Sequence, residues 1–185
     1  MKTTYYHGTS ADNLPYILKH GLSVSESKLW NCSLDAVYLW ESEALAAVNG
    51  MEDEDEEYKL QMAFNSASES GQIACATSKD CRIVVFKIEL DSEEVGVDNS
   101  CENMDHARCI HRDINVSEIV EYSISNDLSL IKGYFINNLC NNDYCGIDFD
   151  SMELKVAELF SKSEIYPEDI EEMITWETVS ISELV

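Results

Sequence analysis

Residues 82–90, Arg-Ile-Val-Val-Phe-Lys-Ile-Glu-Leu, restrict the folds open to this chain more than any other segment. Val84, Phe86, Ile88 and Leu90 alternate with Ile83, Val85, Lys87 and Glu89, the period of two that marks a β-strand. The first half is apolar in both sets, so the strand belongs inside a sheet, with neighbours on each side and cover on each face. A chain of 185 residues can supply that cover, because at this size folding hides roughly 70% of the unfolded surface.

The other elements follow from local signals. Residues 3–7 are β-branched and aromatic and predict a short strand that Gly8 ends. Ser10 and Asp12 as caps, Pro15 in the first turn, apolar Leu14, Ile17 and Leu18, and then Lys19, His20 and Gly21 predict one short amphipathic helix. A second strand is expected at 36–40, followed by an alanine-rich helix at 43–48 that stops at Asn49-Gly50. Six consecutive acids at 52–57 repel one another and mark a solvated loop or helix start. Residues 58–64 read as helical and 65–80 as mobile or irregular, so 51–80 reads as an acidic insertion. Residues 99–113 read as polar connection and 119–124 as a strand. Beyond Asn126 the spacing of Leu128, Ile131, Phe135 and Leu139, of Leu154, Leu159 and Phe160, and of Ile170, Met173 and Ile174 is helical. The expectation is an α+β domain, with a core at 1–125 and a helical C-terminal extension of the same domain at 126–185.

Charge narrows the function. Thirty-six acids stand against 12 bases, a net charge of −24, and the only arginines are Arg82, Arg108 and Arg112. Nucleic-acid recognition depends on Lys and Arg neutralising phosphates, so polyanion binding is excluded as the main task and a basic or neutral protein partner is expected. The acids serve either solubility or a negative face that meets a basic target. No apolar run approaches the roughly 18 residues of a membrane span. The opening MKTTYYHGTS lacks the apolar stretch of a signal peptide, and the chain reads as cytoplasmic. Seven cysteines, an odd number, read as reduced and partly buried.

Residues 5–22, YYHGTSADNLPYILKHGL, resemble the opening of ADP-ribosyltransferases of the diphtheria-toxin and poly(ADP-ribose) polymerase type, whose first motif is His-Gly-Thr at the end of the first strand. Val37-Tyr38-Leu39, followed by Ala44, Ala46 and Ala47, resembles the second motif, a strand tyrosine before an alanine-rich helix. Val120-Glu121-Tyr122 resembles the toxin form of the third motif, and Glu118 is an alternative carboxylate. The resemblance implies an ADP-ribosyltransferase-like split β-sandwich with flanking helices, binding NAD in a cleft between two sheets. It implies that His7 bonds a ribose hydroxyl, that the Gly8 backbone holds the carboxamide, that Thr9 supports the loop and that Tyr38 stacks on the nicotinamide. Glu121 would stabilise the oxocarbenium ion that forms as the glycosidic bond breaks. Gly50 and Met51 stand where the toxin-type enzymes carry a second tyrosine, which leaves Trp40 or another ring to close the site. With so few arginines, pyrophosphate would rest on backbone N–H groups at the helix after Ser10. The related RNA 2'-phosphotransferases grip phosphates with several arginines and are set aside.

The function this implies is NAD-dependent mono-ADP-ribosyl transfer to a basic or nucleic-acid-binding protein. The alternative is a catalytically weak acidic protein that blocks such a partner by phosphate-like mimicry, and a third reading is an adaptor that binds through its C-terminal helices. Cys101, His106, Cys109 and His111 are zinc-ligand types within eleven residues, but their spacing fits no compact zinc motif, and Cys140 and Cys145 fit still less well. No metal is expected.

Overall fold

The computed structural model describes residues 1–25, 35–98, 107–135 and 170–183. β3 (Ile83–Asp91) lies inside the sheet, between β1 (Lys2–Ser10) and β6 (Ile119–Ser125). β2 (Val37–Glu41), β5 (Ala107–Ile110) and β4 (Gly96–Val97) continue beyond β1, and β7 (Trp176–Ser180) lies beyond β6. The result is a mixed α and β fold on one antiparallel seven-stranded sheet, in the order β4-β5-β2-β1-β3-β6-β7.

Strand alternation sends the apolar sets of β3 to opposite faces. On one face Tyr5, Val37, Leu39, Val84, Phe86 and Ile88 form a core with Ile17 of α1 (Leu14–His20). On the other, Tyr6, Ile83 and Val85 pack with Leu45 of α2 (Ser42–Asn49), with Ala63, Ala67 and Cys75 of α3 (Glu56–Thr77), and with Leu128, Ile131 and Phe135. A short α4 (Ile170–Met173) precedes β7.

Several expectations are corrected. β1 does not stop at Gly8 but pairs with β3 as far as Ser10–Ile83. Ser10 makes no side-chain cap, and the Asp12 carboxylate accepts instead from the N–H groups of Lys79 and Asp80 at 2.8 and 3.1 Å. The segment 65–80 is not irregular: α3 runs to Thr77 without a break, and its small residues let it lie directly on β1. A Cβ added at Gly8 would meet the Ala67 carbonyl oxygen at 1.6 Å, and one at Gly71 would meet Ile83 Cγ2 at 2.4 Å. The connection at 99–113 contains β5, whose Ala107, Cys109 and Ile110 are buried. The C-terminal part is not only helical, because Trp176, Thr178 and Ser180 alternate with Glu177 and Val179 to form β7. The periodicities at Leu139 and at 154–160 lie outside the described residues.

Candidate functional site: the parting of β1 and β2

β1 holds β3 over nine residue pairs but β2 over only two, Tyr5–Glu41 and Tyr6–Trp40. Which main-chain groups meet that parting follows from alternation. Ser92 N–H donates to the Met1 carbonyl at 3.1 Å and Ala11 N–H to the Arg82 carbonyl at 2.9 Å, both in register with the β1–β3 ladder. Odd-numbered residues of β1 therefore turn N–H and C=O toward β3, and Tyr6, Gly8 and Ser10 turn theirs toward β2. The next bonded pair after Tyr6–Trp40 would be Gly8 with Tyr38, and the ladder ends before it.

His7 occupies that place. Its Nδ1 lies 2.8 Å from the Tyr38 carbonyl oxygen. A carbonyl can only accept, so Nδ1 carries the hydrogen and Nε2 presents a lone pair. Burial holds the imidazole below its ordinary range, against a smaller opposite effect of the bond to Tyr38. His7 is thus neutral at pH 7, with one donor committed and one acceptor available to a hydroxyl.

The site residues expected from the sequence are only partly gathered here. His7, Gly8 and the Tyr38 backbone meet at the parting. Gly8 lacks a side chain because α3 covers that side of β1, and its main-chain edge is what turns toward β2. The Thr9 hydroxyl accepts from Asn13 Nδ2 at 2.9 Å and ties the end of β1 to the turn that follows. The Tyr38 side chain lies on the opposite face of β2 from Val37 and Leu39, with its hydroxyl oxygen buried. Trp40 is committed to α3, donating from Nε1 to Ser70 Oγ at 3.1 Å. Glu121 is not brought to His7. It stands on β6, two strands from β1 and roughly 10 Å away across the sheet, with its Oε1 3.4 Å from Lys87 Nζ. Glu118 is farther along the chain from that row and is held by Arg112 and by the Asn115 N–H. Those bonds, to Arg112 first, hold its carboxyl below the usual range.

Phosphate contacts are scarce among the described residues. Arg82 pairs with Asp80, Arg108 with Glu41, and Arg112 with Glu94 and Glu118. The Ala11 N–H, at the helix start after Ser10, is taken by the Arg82 carbonyl. What sequence reasoning missed is the half-buried ion pair beside the last ladder rows: Arg108 Nε bonds Glu41 Oε2 at 2.7 Å, where Glu41 faces Tyr5. Opposite charges flanking a strand pairing could be found only once β5 was recognised as the neighbour of β2.

No group of three His, Cys, Asp or Glu side chains among the described residues gathers closely enough to hold a metal ion. Cys109 Sγ lies 3.8 Å from His111 Nε2, and burial first, then the Asp98 charge, pushes that thiol above its ordinary range. Burial pushes the Cys75 thiol up to about 12, so neither thiol is a ready nucleophile. Cys101, His106, Cys140 and Cys145 lie outside the described residues. Among those described, no helix is long and apolar enough to cross a membrane. No protein-family model and no curated protein matches the chain.

Proposed function

We propose that the β1–β2 parting binds the nicotinamide end of NAD and that the chain is an ADP-ribosyltransferase-like protein directed at a basic protein partner. The observation that carries this reading is the ladder ending at Tyr6–Trp40, which leaves the Gly8 N–H and C=O turned toward β2 beside His7. A primary carboxamide offers one donor and one acceptor, the complement of a strand residue's main-chain pair. The His7 Nε2 lone pair suits a ribose hydroxyl, and the net charge of −24 suits a basic target.

The catalytically weak alternative draws support from a separate observation. Glu121 is held by Lys87 away from His7, and every described arginine is already paired with a carboxylate. In that reading the site binds NAD poorly and the acidic surface acts by occupying a basic partner. Calorimetric titration with NAD, together with intact-mass analysis of a basic protein incubated with the chain and NAD, separates the two. Transferase function requires an ADP-ribose adduct that His7→Ala abolishes. NAD binding without adduct favours the weak reading, and no NAD binding by the unaltered chain rejects the nicotinamide site itself.

A further inference from the structure

We infer that Tyr6, Glu56 and Glu121, on the α3 side of the sheet, form a seat for a guanidinium group, the side chain of an arginine on a basic partner. This rests on the proposed function for the basic partner and is independent of NAD. Register brings the residues together. Tyr6 pairs with Lys87 and Lys87 with Glu121, so the three side chains stand in one row on one face of β1, β3 and β6. That face is the one α3 covers, opposite to the one Tyr5 takes. Glu56 opens α3, and Phe64 of the same helix meets the Tyr6 ring edge-on with centroids 6.0 Å apart and Trp176 of β7 at 5.0 Å. The Tyr6 hydroxyl is what points to a ligand. Tyr6 is 7% exposed, and among the described residues its hydroxyl has no hydrogen-bond partner, whereas a buried phenol ordinarily finds one. Burial first, and then the charges of Glu121 and Glu56, hold that phenol above its ordinary range, so both carboxylates act on the hydroxyl. Among the described residues Lys87 is the cation that answers Glu121, and Glu56 has no ion pair. Lys87 Nζ lies 3.4 Å from Glu121 Oε1, longer than the about 2.8 Å of a strong ammonium–carboxylate bond. Two carboxylates and a phenol oxygen beside aromatic rings suit a planar group with donors in a fork better than a compact ammonium. The Lys87 and Glu121 side chains are 30% and 35% exposed, so a partner side chain reaches the row from solvent.

The test is an NMR titration of the full chain without NAD, in about 0.15 M sodium chloride to screen diffuse attraction. The probes are the capped tripeptide acetyl-Gly-Arg-Gly-amide and its lysine and citrulline counterparts. The arginine peptide is expected to shift the Tyr6, Lys87 and Glu121 amides and to bind about fivefold more tightly than the lysine peptide, with no binding of the neutral citrulline one. Tyr6→Phe, which keeps the ring, should weaken binding about fivefold, and Glu121→Gln about tenfold. Lys87→Gln removes the competing ammonium and should tighten binding about threefold. Lys79→Gln makes the same change of charge at an exposed turn and should leave it unaltered. Absent binding, equal binding of the arginine and lysine peptides, an unchanged affinity in Tyr6→Phe, or a loss of affinity in Lys87→Gln overturns the guanidinium seat. None of these outcomes enters the NAD titration, so the nicotinamide site stands or falls separately.

Discussion

His7 shows how one side chain inherits its chemistry from a strand pairing that stops. Because burial lowers its pKa, the unfolded chain binds a proton over a range of pH in which the folded chain does not. Stability is therefore fully present above the ordinary histidine value of about 6.5, falls as pH drops below it, and levels off beneath the folded value. His7→Gln keeps a donor for the Tyr38 carbonyl and removes the titration. Scanning calorimetry between about pH 7 and about pH 5 should show the unaltered protein losing more of its melting temperature than His7→Gln. Equal losses would mean that another group carries the pH dependence. The sequence offered His7 and Tyr38 only as parts of two motifs in a resemblance, and the bond from one to the main-chain carbonyl of the other was not legible in it. That bond depends on where the β1–β2 ladder ends, and no local signal encodes that.

Among the elements, α3 departs most from what the sequence suggested, and the reason is physical. The stretch 65–80, rich in Ser and Ala, read as irregular, yet Ala67, Ser68, Gly71 and Ala74, small residues at helical spacing, are what allow a helix to lie against a strand backbone. Gly8 and Gly71 complete that contact from both sides. Gly8→Ala is expected to destabilise the fold by roughly 3 kcal/mol through overpacking. Gly96→Ala, which meets nothing within 4 Å, should stay within about 0.5 kcal/mol. Urea denaturation of the two variants checks this, and equal midpoints would refute the close packing. β3 and β6 were legible because long apolar alternation survives without context. β5 was not, since it is only 4 residues long inside a stretch that reads as polar connection, and β7 was not, since it follows a segment whose apolar spacing is helical.

At the scale of the molecule, 24 excess negative charges oppose compaction, and added salt screens them over about 10 Å at 0.1 M. Raising sodium chloride from about 0.01 M to about 0.15 M should lift the melting temperature by about 5 °C. A fall would show that internal ion pairs such as Arg112 with Glu94 and Glu118 outweigh the repulsion. The strand order has a different kind of consequence. β1 leaves the ribosome before β3 and is nevertheless built into the interior, with Lys2 opposite Asp91 and Ser10 opposite Ile83. Residues 11–82 must be synthesised before that strand meets its main partner, and β7 joins β6 later still. Until then Tyr5 and Tyr6 of β1 stay uncovered, and the dense acids at 52–57 are the segment placed to keep the nascent polypeptides apart.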